Sequence, residues 1–264
     1  MKEFKSFARN AAPRAGKRML VGAARLGVLA GAATLYVGCI GVSQQKVDTS
    51  APSEDALAAC PAGFAAAADG NVDDFEDGDR QGTPEGGRDG SWYTAADPNG
   101  SAVELPPQDG FTTDGGADGS SSALRFKGKT AGGEGAWGVE LGLNLKNDQT
   151  EQYDASKYKA FAFKAKAGSK EAEKKVRVAF GDVNTDPSGK VCANCYNHFS
   201  SNIELTPEWK EYVLALDDTR QRPGWGNPRP AAITPGKLVK ISYQIEGGKE
   251  FDLWLDDLKF LSCK

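Results

Sequence analysis

Several things are scarce in these 264 residues, and each scarcity excludes something. There is one histidine, His198. Ser-His-Asp chemistry would rest on it alone, and no Gly-x-Ser-x-Gly elbow accompanies it. After residue 60 no stretch keeps a helical periodicity with caps at both ends, which argues against a helical domain; only "SEDALAACPAGFAAAA" could hold a turn or two. No internal repeat or low-complexity segment is present. Positive charge is scarce too: residues 39–264 hold 25 basic and 35 acidic side chains, a net charge of −10. Such a chain has no electrostatic reason to seek nucleic acid or an anionic membrane surface.

Residues 1–38 are the opposite. Seven Lys or Arg stand against one acid, Glu3, and an apolar stretch of twelve residues, Leu26–Val37, follows. That is short for a membrane span, which needs roughly 18 apolar residues or more, and it has the layout of an export signal. The end of the stretch, Val37-Gly38-Cys39, resembles a bacterial lipoprotein signal, although Tyr36 stands where leucine is usual. The resemblance implies removal of residues 1–38 and a lipid on Cys39, with the protein anchored in the bacterial envelope at the outer membrane or cell surface. An uncleaved anchor and plain secretion stay open as alternatives. Residues 39–59 are polar and nearly free of aromatics and read as a flexible linker, so that the folded domain is expected over 60–264.

Export places Cys60, Cys192, Cys195 and Cys263 where disulfides persist. Four cysteines allow three pairings, and the economical one joins Cys60 to Cys263 and Cys192 to Cys195. The segment "DVNTDPSGKVCANCYNHF" then needs a reading. Haem attachment requires His directly after Cys-x-x-Cys, but Tyr196 stands there. A thioredoxin-like centre requires a helix after the motif, whereas "YNHFSSNIELT" alternates like a strand. A disulfide-pinned loop is the favoured reading; redox chemistry and a four-cysteine zinc site stay open.

Period-2 alternation dominates from residue 90. In "KAFAFKAKA", Phe161, Phe163 and Ala165 point one way and Ala160, Ala162, Lys164 and Lys166 the other, so one face packs and the other meets solvent. Around ten such runs, nearly all bounded by Gly, Pro, Asn or Asp, predict an all-β fold, an antiparallel β-sandwich.

The domain starts with "VDDFEDGD", soon followed by "SWY", and ends with "FDLWLDDLKFL". These motifs resemble the galactose-binding-like jelly rolls, notably family 11 carbohydrate-binding modules and the domain of the complex I intermediate-associated proteins. The resemblance implies a jelly roll with a structural calcium held between the acidic start and the acidic last strand. Carried over, Glu76 and Asp256 would be the side-chain ligands, with Asp257 in reserve. Calcium chemistry agrees, since the ion takes six to eight oxygen ligands. An EF-hand does not fit, because Asp74 sits where Gly is needed and Arg80 where Glu is needed. The plain alternative is a solvated acidic turn.

The resemblance also implies sugar binding without cleavage, which needs flat aromatic platforms ringed by polar groups. Trp225, in "RPGWGNPRP", leads the candidates, with Tyr196, Trp92, Tyr93 and Trp137 behind it. Trp209 and Trp254 read as strand core. The expected partners are a polysaccharide and, through the lipid, a membrane, with the domain acting as a monomer. A structural or protein-interaction jelly roll is the alternative function. A glycoside hydrolase relative is a third, for which a carboxylate pair in a cleft would be the sign.

Overall fold

The computed structural model describes residues 51–106 and 112–264; the expected signal segment and Cys39 lie outside the described residues. The chain first forms a short helix, α1 (Glu54–Ala59). Strands follow in order: β1 (Phe64–Asp73), β2 (Trp92–Ala96), β3 (Ala102–Leu105), β4 (Thr112–Asp114), β5 (Ser122–Lys129) and β6 (Val139–Asn144). The second half holds β7 (Ala160–Ala167), β8 (Lys175–Asp182), β9 (Phe199–Glu204), β10 (Lys210–Ala215), β11 (Leu238–Ile245) and β12 (Glu250–Cys263).

All pairings are antiparallel and form two sheets. One has five strands in the order β2-β6-β11-β8-β9; the other runs β10-β7-β12-β5-β3, with β1 also paired to β12 and β4 to β5. The expected antiparallel sandwich is the observed fold. Alternation explains the core between the sheets. Phe161 and Phe163 on β7, Val176, Val178 and Phe180 on β8, Ile241, Tyr243 and Ile245 on β11, and Leu253 and Leu255 on β12 all enter it. Rings meet edge to face there, as with Phe163 and Tyr243, whose centroids are 5.3 Å apart at 82°.

Three expectations change. Ala160 and Ala162 do not meet solvent: with Leu261 they form a second buried cluster, against which Phe64 and Val213 pack. The linker expected to reach residue 59 is folded from Ser53 onward. Ser53 caps α1 by accepting from the Ala56 N–H, and its own N–H and hydroxyl donate to Asp218 at 2.8 and 2.6 Å. Trp92, a candidate platform, is 2% exposed and belongs to the core. Its indole N–H donates to the buried Asp73 carboxylate at 2.7 Å, and burial pushes that carboxyl up to about 7. A buried indole needs such an acceptor, and Asp73 supplies it from β1.

Both expected disulfides are present. Cys60–Cys263 ties the entry of β1 to the end of β12, where Phe64 opposes Cys263 in the ladder. Cys192–Cys195 closes a four-residue loop before β9. With both pairs oxidised, neither a free dithiol nor a four-cysteine zinc site is formed. In the chain-entropy account the long loop is worth about 5 kcal/mol and the short one about 2 kcal/mol. We therefore expect Cys60→Ser/Cys263→Ser to lower unfolding free energy by several kcal/mol in urea titrations, and Cys192→Ser/Cys195→Ser by clearly less. The reverse ranking would contradict this assignment of roles.

Candidate functional site

The five-stranded sheet buries one face, so its other face is set by parity. With Ile241, Tyr243 and Ile245 in the core, Lys240, Ser242 and Gln244 face outward from β11. Register then brings their neighbours alongside. Ser242 opposes Gly142 on one side and Ala179 on the other, and Gly142 and Ala179 in turn oppose Tyr93 and Ser200. The result is a row of small residues across four strands, ending at Tyr93. The Tyr93 ring lies on this floor, since a Cβ added at Gly142 would come within 2.3 Å of it. One step along, Gln244 opposes Glu140 and Arg177.

Charge is concentrated at Lys240, whose ammonium lies 3.3 Å from Asp186 and 3.6 Å from Glu140. It also lies 5.8 Å from the centre of the Tyr93 ring and 5.7 Å from that of Tyr196, so the two rings flank one cation. The Tyr93 hydroxyl donates to Glu140, and burial together with that carboxylate raises the phenol far above its usual range. Burial works against Asp186, yet Lys240 and the Ser188 hydroxyl and N–H hold its carboxyl below the ordinary value. Arg177 is buried among neutral partners: it donates to Ser200 Oγ, the Gln244 side-chain oxygen and the His198 carbonyl. Desolvation lowers it to about 10. Gln244 donates in turn to the Trp137 carbonyl at 3.0 Å.

The loop between β8 and β9 supplies Asp186, Tyr196 and His198. It is knotted around Asp182, a buried carboxylate that accepts from Thr185 Oγ1 and from the N–H groups of Asn184 and Thr234. Tyr196 sits at φ 73°, and its N–H donates to the Thr185 carbonyl, which leaves the ring 58% exposed. His198 is fully packed and shares a 3.0 Å hydrogen bond with Thr185 Oγ1. Burial and the Lys240 charge lower it to about 3, so it is neutral at ordinary pH and its 3.9 Å approach to Asp186 is no ion pair.

Of the five aromatic candidates, then, Tyr93 and Tyr196 come together around Lys240. Trp137 reaches the same face through its carbonyl bond to Gln244, with its ring 38% exposed. Trp225 is 37% exposed on the loop that packs against the Tyr196 loop; Trp92 is core. Trp209 and Trp254 are neither core nor free platforms. They stand perpendicular, 6.5 Å apart, outside the seven-stranded sheet, with Lys166 over both rings and Arg125 over Trp254. Sequence reading missed Lys240, Arg177, Gln244, Glu140 and Gly142, which look like ordinary solvent-facing positions until register aligns them.

The acidic start and the last strand also meet. Glu76 accepts from the Ser120 hydroxyl at 2.6 Å and the Ser122 N–H at 2.9 Å; Asp256 accepts from the N–H groups of Ala117 and Asp257, both at 2.7 Å. Both carboxylates thus end on one turn, residues 117–122. Burial raises the Asp256 carboxyl. Asp257 does not join them: a bulge puts it at φ 52°, where it pairs with Lys164. Among the described residues no group of three or more His, Cys, Asp or Glu side chains is placed to hold a metal ion.

Exposed aromatic rings beside hydroxyl, amide, guanidinium and carboxylate groups suit a ligand with both apolar faces and many hydroxyls, which is a sugar chain. Glu140 and Asp186 are carboxylates of this face, and both are engaged by Lys240.

No curated protein matches the chain. Among solved structures it is similar to the family 11 carbohydrate-binding module of the cellulosomal cellulase Lic26A-Cel5E of Clostridium thermocellum, at 14% identity and TM-score 0.49, covering 75% of this chain and 94% of that one. A Clostridium thermocellum family 11 module in complex with a β-1,3-1,4-mixed-linked tetrasaccharide matches at 13% identity and TM-score 0.47, covering 65% and 89%. The family 30 module of the cellulosomal cellulase Cel9D-Cel44B from the same organism matches at 16% identity and TM-score 0.43, covering 65% and 91%. The family model for carbohydrate binding domain 30 matches residues 85–262, about two thirds of the sequence, which takes in the whole face described above and the closing "FDLWLDDLKFL". The chain therefore belongs to the carbohydrate binding domain 30 family.

Proposed function

We propose that the domain binds a β-linked glucan chain across the outer face of the five-stranded sheet and does not cleave it. The observation that carries this reading is the pair of tyrosines, Tyr93 and Tyr196, set on either side of Lys240 beside a floor of small residues. A pyranose ring stacks on an aromatic face while the half-buried Gln244 amide and Glu140 carboxylate beside it face its hydroxyls, over the buried Arg177 and Asp186. The mixed-linked tetrasaccharide bound by a similar module supports the choice of glucan.

In gel retardation against mixed-linkage β-glucan, xylan and mannan, the wild type should be slowed by the glucan. Tyr196→Ala should weaken binding about 10- to 100-fold, the loss expected for one buried aromatic surface. The groups of this face should add no pH dependence to binding between pH 5 and 8, because His198 stays neutral and Tyr93 stays protonated throughout that range, and the one group near 7, Asp73, is held in the core behind Trp92. Retention by none of the polymers would move the weight to a protein-interaction role, and release of reducing sugar would overturn the non-cleaving reading.

A structural calcium ion is part of the proposal. Supporting it, Glu76 and Asp256 both accept from the 117–122 turn, and Asp256 is buried with a raised pKa that a hard cation would relieve. Bound there, the ion would supply charge compensation that pins the 117–122 turn to β12. At free calcium one hundred times its dissociation constant the domain should gain about 2.7 kcal/mol. A melting temperature that a chelator leaves unchanged would contradict it.

A further inference from the structure

Two loops lie beside the tyrosine pair, residues 183–198 and 219–234, and one side chain joins them. Asn197 is 1% exposed, and all its side-chain hydrogen bonds go to the backbone of the second loop. Its amide nitrogen donates to the Arg222 carbonyl at 2.9 Å and the Trp225 carbonyl at 2.7 Å, while its amide oxygen accepts from the Arg222 N–H at 2.9 Å. Its own carbonyl accepts from the Gln221 amide at 2.7 Å. Three residues before Asn197 and two after Trp225, Asn194 and Asn227 form a β-bridge.

Trp225 stands between Gly224 and Gly226, at φ 89° and 92°, conformations that leave the turn little stiffness of its own. Gly226 packs so closely on Asn197 that an added Cβ would lie 3.0 Å from the Asn197 Cβ. The same loop carries Arg222, which pairs with Glu246 just beyond β11 at 2.7 Å. Asn197 is also next to Tyr196 in the chain. The chain neighbour of one exposed aromatic is therefore bonded directly to the backbone of another.

We propose that Asn197 is a positioning residue for saccharide binding: it pins the Trp225 turn to the Tyr196 loop so that the two aromatics form one preset jaw. Sugar recognition by a preset jaw loses less conformational entropy than recognition by a mobile turn, so the pin acts on affinity through Trp225. The affinity part rests on the carbohydrate reading above; the positioning part does not.

The test uses protein labelled with 5-fluorotryptophan, with the Trp225 fluorine resonance assigned by its loss in Trp225→Phe. In Asn197→Ala that resonance should shift or broaden while those of the other tryptophans stay in place. Affinity for mixed-linkage β-glucan should fall about tenfold, close to the loss in Trp225→Ala, and the double variant should lose no more than either single one. If Asn197→Ala does not fold, Asn197→Asp takes its place, having the same size without the amide donor. An unmoved Trp225 resonance overturns the proposal, as does a double variant whose losses multiply. A Trp225 resonance that moves in Asn197→Ala, together with a wild type that is retained by no glucan, keeps the pin and sinks the carbohydrate reading instead.

Discussion

The functional face depends on a single buried ammonium. Lys240 is 8% exposed on the central strand of its sheet, and a lone charge there would cost several kcal/mol in lost hydration. Asp186 and Glu140 compensate it, from a loop on one side and a neighbouring strand on the other. That requirement sets the arrangement around it. Asp186 must be brought down onto the sheet, which commits the β8–β9 loop to its path around Asp182. Glu140, while facing Lys240, also accepts from Tyr93 and so fixes that ring over Gly142. Tyr196 then completes the other side of the cation. Loop path and aromatic placement on this face follow from one charge and its counter-ions.

The same logic gives the segment "CANCYNHF" its role. Its disulfide stiffens a turn, its tyrosine is presented to solvent at a positive φ, its asparagine fastens the next loop, and its histidine is packed neutral beneath them. Together they convert a long connection, which would otherwise move, into a rigid rim for the sheet.

Much of the architecture was legible because alternation has a direct cause. A strand with one buried face must place apolar residues at every second position, and β7, β8, β11 and β12 do. The terminal disulfide was legible because a sandwich whose first and last strands pair brings Cys60 and Cys263 together. The site was only half legible. Tyr93 and Tyr196 could be named as aromatics, but Trp92 could not be told from a platform, because the acceptor that buries it, Asp73, lies 19 residues away. Lys240, Arg177 and Gln244 occupy ordinary outward positions, and only cross-strand register, which depends on loops of unpredictable length, sets Gln244 between Glu140 and Arg177. Trp209 and Trp254 escaped the strand-core reading, since the cation that occupies their faces, Lys166, comes from β7.

The central claim is that ligand lies across the outer face of the five-stranded sheet, and a backbone-amide NMR titration with a mixed-linkage β-glucan tetrasaccharide tests it most directly. The account expects shift changes at Tyr93, Gly142, Arg177, Lys240 and Ser242 and through the 183–198 loop, with β5, β7 and β12 unmoved. Changes centred instead on the opposite sheet, around Arg125, Lys166 and Trp254, would contradict it.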